Sequence, residues 1–565
     1  MMDLRLVDGI GPFFSPVKRR RLNWSKIPFH DLPVGEGSEE VWRQIAQDLE
    51  DFAKAVVAAG FNAVTLDDVA HLTSHPWYEK TVVDRIGFFS VRFRGLIAIL
   101  RREGLQVFMT SDVVTLSPGV AQKLGPSQGA RRAFYLDVMR RFFNEFPEVE
   151  GVILRIGESD GLDVHDQLRS ELHLRSAGEA NRFLKELLPL AGEFDRTVVL
   201  RTWTVGAHRI GDLIWRSGTL EKLVDGINSE NFILSMKPGD SDFFRYLPLN
   251  DSFRRYPGRK ILELQARPEY EGAGELPTFL GYEYEGYRNA LKGVENLVGL
   301  SVWCQTGGWH RFRRMSFLGK GSPWVELNAE VALALFAGDR SVDEILAERG
   351  LPSDFFRKLH LVIREGYYLP AFAQQRIFFR RVRIPPLLHV YWDTIFMIAP
   401  VRKLMRYFVH EREEILSRGR KVDQLLVELV AASDQVPFPR EDLEFLRDTL
   451  QMMALARRYY FEWFSAELTE EIEQAKKVYK KRWPKGGERI RFRIRTDFSP
   501  SRLKRRTLSW GGRVMLRRRQ AYRFIDYAFV LTLLGFVYRA FTRVKPEALP
   551  EFVRESAMGV DSLFE

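Results

Sequence analysis

Eight short runs rich in β-branched and aliphatic residues recur through the first 310 residues, each separated from the next by a stretch of helical spacing. They occupy 19–27, 61–69, 105–114, 149–158, 197–206, 231–239, 260–269 and 296–305. Near-continuous Val/Ile/Leu runs of this kind suit parallel strands buried on both faces. The stretches between them behave as amphipathic helices. In the first, Val41, Ile45, Leu49, Phe52 and Val56 share one face and Gly60 supplies the stop. Eight such cycles predict an α/β fold, a (β/α)8 TIM barrel, with any active site at the C-terminal ends of its strands. A doubly wound open sheet is the alternative, but no GxGxxG follows the first run to support it.

On this reading residues 1–18 form a lead-in, 19–315 the barrel, and 316–565 an α-helical C-terminal domain in which strand patterns fade. Charge is unevenly placed. The whole chain carries +11, yet 476–545 holds 22 Lys/Arg against Glu488, Asp497 and Asp526, which is +19 and leaves −8 elsewhere. Such a block attracts a polyanion or an anionic membrane surface, or it is a solvated helical face. The start, MMDLRLVDGIGPFF, lacks a basic n-region and an apolar h-region, so a cytoplasmic location is expected, with peripheral membrane association through 476–545 left open. The most apolar stretch, 524–537, contains Asp526 and reads as a core helix. Cys304 is the single cysteine, and the ten histidines show no paired metal spacing. No metal and no cofactor is expected. The sequence leaves a homo-oligomer open.

The chemistry of a barrel is read from polar residues at strand ends. The fourth run ends in Arg155-Ile156-Gly157-Glu158, and the fifth carries Arg201 and Trp203. The sixth leads into Lys237 and Asp242. The seventh carries Glu263, Gln265 and Glu269, and the eighth Trp303, with Trp309 following. Facing carboxylates are what glycoside hydrolysis requires, one protonated and one ionised. Tryptophan faces suit sugar rings, and Arg or Lys suits a carboxylate on the sugar.

Two motifs sharpen this: Lys237-x-Gly239-x-x-Asp242-Phe243 and Glu263-x-Gln265-x-x-x-Glu269-Tyr270-x-Gly272. The pair resembles the strand-six and strand-seven signatures of the family 67 glycoside hydrolases, the microbial α-glucuronidases. The resemblance implies a barrel hydrolase that removes a uronic acid from an oligosaccharide or polysaccharide with inversion. It implies Glu158 as general acid, and Asp242 and Glu269 as the pair that positions and activates water. Arg155, Arg201 and Lys237 would hold the sugar carboxylate. Trp203, Glu263, Trp303 and Trp309 join them as candidate substrate-binding residues. The family's N-terminal β-rich domain has no counterpart in this sequence, and its strand-four lysine is matched by Leu154, with Arg155 beside it. Two rivals stand beside this reading. One is a retaining barrel glycosidase with Glu158 as acid/base and Glu269 as nucleophile. The other is a non-catalytic polyanion- or membrane-binding protein on a barrel scaffold.

Overall fold

The computed structural model describes residues 2–14, 26–156, 167–170, 173–174, 176–202, 218–239, 242–305, 314–319, 321–370, 378–379, 382–383, 411–461, 465–484, 489, 516–517 and the positions 533, 536, 537, 540 and 544. Eight strands close into a ring: β1 (Leu4–Asp8), β2 (Ala63–Leu66), β3 (Gln106–Asp112), β4 (Gly151–Arg155), β5 (Thr197–Arg201), β6 (Phe232–Met236), β7 (Lys260–Gln265) and β8 (Leu297–Trp303). Each pairs in parallel with its sequence neighbours, and β1 closes the ring against β8 with Leu6 opposite Ser301.

The principal helix after each strand lies on the outside: α1 (Glu39–Ala59), α2 (Lys80–Arg102), α3 (Gln128–Glu145), α4 (Ala177–Glu193), α5 (Thr219–Val224), α6 (Ser252–Arg255), α7 (Gly281–Ala290) and α8 (Pro323–Ala337). In α1 the apolar stripe buries Trp42, Ile45, Leu49, Phe52 and Val56, as helical periodicity requires. Gly60 ends it in the left-handed region at φ 103°, and its N–H bonds back to Val56 and Val57.

Inside the ring, Leu4, Leu6, Ala63, Phe108, Ile153, Val199, Ile233 and Ile261 form a separate small core. Strand side chains alternate faces with a period of two. Stepping up by twos from that core reaches Asp8, Asp67, Asp112, Arg155, Arg201, Lys237, Glu263 and Gln265. The alternation that fills the barrel floor with aliphatics therefore fills its C-terminal mouth with charge.

Beyond α8 come α9 (Val342–Glu348), α10 (Ser353–Val362) running into a π-helical turn at Ile363–Tyr367, α11 (Arg412–Ala431), α12 (Arg440–Phe461) and α13 (Ala466–Arg482). Their core is continuous with the outer barrel core. Asp442 of α12 pins the two parts together. It accepts from Trp324 Nε1 and Arg314 Nη1 at 3.0 Å each, and from Arg489 Nη2 at 2.6 Å.

Two expected positions are corrected. The first strand is Leu4–Asp8, inside the supposed lead-in, whereas Lys26 and Ile27 of the 19–27 run are not in a strand. Five residues interrupted by Arg5 give a weaker apolar signal than the longer run downstream. The eighth barrel helix, α8, lies past residue 315, because a helix buried against both barrel and C-terminal helices shows no polar face to mark it. Among the described residues no helix is long and apolar enough to cross a membrane. Most of 485–545 lies outside the described residues, so the disposition of the basic block is not seen.

Candidate active site

The residues delivered to the mouth sort into three groups. The first stands over β2, β3 and β4. Asp112 accepts from Arg155 Nε at 2.8 Å, Lys26 Nζ at 2.5 Å and Ser170 Oγ at 2.7 Å. Burial alone would raise its pKa, but Arg155 and Lys26 outweigh burial and hold the carboxyl far below its ordinary range. Asp67 lies beside it. It accepts from Ile27 N at 2.6 Å and from Thr110 Oγ1, and lies 3.6 Å from Arg155 Nη2. Burial dominates there and its pKa is raised.

The second group stands over β5, β6 and β7. Arg201 grips Glu263 with Nη2 at 2.6 Å and Nε at 3.1 Å, and Ser235 Oγ adds a bond at 2.9 Å. Against the cost of burial, Arg201 and Lys237 keep Glu263 ionised and its pKa lowered. The Arg201 guanidinium lies 4.8 Å from the centre of the Trp303 ring, a cation–π contact.

The third group carries the two motif carboxylates. Asp242 Oδ1 accepts from Lys237 Nζ at 2.5 Å and from the Phe243 N–H at 2.9 Å, and its Oδ2 accepts from Tyr270 OH at 2.6 Å. Three donors fix that carboxylate. Lys237 Nζ also lies 4.2 Å from the centre of the Phe243 ring. Glu269 sits on the turn after β7, its N–H held by Gln265 Oε1 at 3.2 Å. Its carboxyl is pushed up to about 8, first by burial and then by the charge of Asp242, against the pull of Lys237. The structure thus buries Glu269 beside the triply bonded Asp242 carboxyl.

Of the expected site residues, Asp242, Glu269 and Lys237 come together, and Arg201, Glu263 and Trp303 form the neighbouring group. Arg155 stands apart, paired with Asp112. Each cation expected to hold the substrate carboxylate also has an internal carboxylate partner: Arg155 with Asp112, Arg201 with Glu263 and Lys237 with Asp242. Glu158, Trp203 and Trp309 lie outside the described residues. Cys304 is a buried thiol whose pKa burial raises well above the ordinary value. Sequence reasoning passed over Asp8, Lys26, Asp67, Asp112 and the hydroxyl of Tyr270. Asp67 and Asp112 were reachable from the period-two phase of their strands; Asp8 was not, because its strand was not expected.

No known family profile matches the chain, and no curated protein matches it in sequence. Among solved structures it is similar to a glycoside hydrolase family 138 enzyme targeting pectin rhamnogalacturonan II, at 12% identity and TM-score 0.49 over 85% of this chain. The alignment spans 62% of that enzyme's length. It is also similar to a β-glycosidase from Pyrococcus horikoshii, at 12% identity and TM-score 0.37, over 62% of this chain and 97% of that one. A D-allulose 3-epimerase from Methylomonas sp. follows at 10% identity and TM-score 0.33, over 60% and 98%.

Proposed function

We propose that the chain is a glycoside hydrolase acting at the barrel mouth above β6 and β7. The observation that carries this reading is the Asp242–Glu269 pair. Lys237, Tyr270 and the Phe243 N–H all donate to the Asp242 carboxyl, and burial beside it raises Glu269 to about 8. A carboxyl raised in this way is suited to give up a proton near neutral pH beside a second carboxyl. Glu269 donates its proton to the glycosidic oxygen as its bond to the anomeric carbon breaks, and Asp242 accepts a proton from the water whose oxygen bonds that carbon. On this reading Glu269 is the donor, where the family resemblance implied Glu158.

The test is the pH dependence of kcat/KM on an aryl α-D-glucuronide and on a glucuronic-acid-bearing oligosaccharide. A donor must be protonated, so kcat/KM should fall as pH rises through about 8. A water-activating Glu269 would give the opposite slope. Glu269→Gln should cost about 10²–10⁴-fold on a poor leaving group and less on a good one. Equal losses on both would remove the assignment.

The finer reading is that the sugar is a uronic acid, released with inversion. Lys237 supports it, its ammonium standing beside the Asp242–Glu269 pair, where it can bond a sugar carboxylate. Arg155 and Arg201 are candidates for the same sugar carboxylate; each, like Lys237, also has an internal carboxylate partner. Lys237→Ala should weaken glucuronide binding about 10-fold or more and the neutral glucoside far less, the scale of one charge-assisted hydrogen bond. Equal losses on acid and neutral sugar would sink the uronic assignment, and ¹H NMR of the first-released anomer decides inversion.

A further inference from the structure

The turn after β7 that bears Glu269 is held from behind by the C-terminal helices. The π-helical turn at the end of α10 brings Tyr367 and Tyr368 side by side, both fully buried. Tyr367 OH accepts from the Gly272 N–H and donates to the Tyr270 carbonyl, each at 3.1 Å. One hydroxyl thus bridges a two-residue span of main chain immediately after Glu269. Gly272 occupies the left-handed region at φ 60°, which lets the turn present that N–H. Tyr368 OH donates to Glu271 Oε1 at 2.8 Å, and the same carboxylate takes Arg245 Nε at 2.6 Å and Thr278 Oγ1 at 3.0 Å. The tyrosines are anchored in turn. Arg457 of α12 donates to the Gly366 carbonyl at 2.7 Å, and Tyr246 OH to the Arg364 carbonyl at 2.6 Å. A Cβ at Gly366 would lie 2.7 Å from Val422 of α11, so that backbone is packed tight.

We infer that Tyr367 and Tyr368 are positioning residues for the mouth: they hold the Tyr270–Gly272 main chain so that Glu269 stays buried beside Asp242 and the Tyr270 hydroxyl reaches Asp242. This deepens the glycosidase reading and rests on it for the role of the two carboxylates. It makes the helical C-terminal part a working piece of the barrel's active site. The turn's own hydrogen bonds, Glu271 N–H to the Pro268 carbonyl and Gly274 N–H to the Glu271 carbonyl, leave the Tyr270 carbonyl and Gly272 N–H to Tyr367. The charged and titratable groups acting on Glu269 are Asp242 and Lys237 from the β6 side and Tyr270 from its own turn. Neither Tyr367 nor Tyr368 is among the largest influences on Glu269, and both reach it through the turn they hold.

The experiment follows the Glu269 side-chain carboxyl by ¹³C NMR in the full chain without substrate, assigned by its loss in Glu269→Gln. Tyr367→Phe deletes one oxygen and keeps the ring. It should lower the Glu269 midpoint by about one unit, a tenfold change in proton affinity, as the freed turn admits water. Tyr368→Phe should move it less and in the same direction, since Arg245 and Thr278 still hold Glu271. Tyr282→Phe, whose hydroxyl bonds Asp343 at 2.9 Å, should leave it in place. If Tyr367→Phe fails to fold, Tyr368→Phe decides on the same readout. An unmoved midpoint, or one that moves equally in Tyr282→Phe, overturns the inference. On a hydrolysed glucuronide, Tyr367→Phe should lower kcat with KM unchanged. Loss of hydrolysis in Glu269→Gln tests the carboxylate's role separately, so the two ideas fail independently.

Discussion

Arg201 has the Glu263 carboxylate along one edge of its guanidinium and the Trp303 ring beneath it, all three out of contact with solvent. Removing one partner of a buried ion pair strands the other charge, which typically costs about 3–5 kcal/mol. Arg201→Met should destabilise the fold by that amount in urea, and adding Glu263→Met should recover much of it. If Arg201 served only to bind substrate, the single change would leave stability untouched. Glu269 makes the opposite prediction. Its folded pKa is raised above the unfolded value, so its ionisation opposes folding. The penalty is absent below about pH 4.5, grows as pH rises toward about 8, and is constant above that. Glu269→Gln should therefore be more stable than the natural chain at pH 8 and level with it at pH 4.5, by on the order of a few kcal/mol. A stability difference that does not vary with pH would show that the carboxyl is not held protonated. These two residues differ because Arg201 lies one hydrogen bond from Glu263, whereas Glu269 shares its pocket with the like charge of Asp242.

At the scale of elements, seven of the eight strands were visible in the chain because each is a compact aliphatic run between helical stretches. β1 was not, since Leu4–Asp8 is short and polar at both its second and last positions. It is recognised as a strand only by its partners, with Leu6 opposite Ala63 on one side and Ser301 on the other. The site was legible to the same extent. Asp242, Glu269 and Lys237 stand out as motif residues. Asp67 and Asp112 carry no motif, and their place follows only once the inward phase of β2 and β3 is known. The pairing of Arg155 with Asp112 joins the last residues of two strands 43 positions apart, which local patterning does not encode. Helices are carried by simpler physics. Phe52 is fully buried in α1 and meets Phe317 edge-on at 6.3 Å. Phe52→Ala should cost about 3–5 kcal/mol through lost burial and the cavity left behind, read from the urea midpoint at unchanged slope.

For the molecule as a whole, the seam between β1 and β8 decides when the barrel exists. Its last link is the Asp8 carboxylate, which accepts the Cys304 N–H at 2.5 Å and the Gln305 N–H at 2.8 Å. Burial pushes that carboxyl up to about 7 against the pull of both amides, so the link is strongest once it is ionised. Deleting residues 2–8 should leave β2 and β8 without their shared neighbour and yield an aggregating chain rather than a smaller barrel, as size-exclusion chromatography would show. Survival of a soluble monomer with native far-ultraviolet circular dichroism would contradict this. During synthesis the same seam imposes a wait. At about 5–20 residues per second, roughly 15–60 s separate the emergence of the first strand from that of its eighth partner. Throughout that interval the nascent chain presents an open parallel edge, the form of β-structure most prone to pair with the wrong neighbour. The ribosome-bound intermediate, more than the finished barrel, is therefore the species that a chaperone would have to shield.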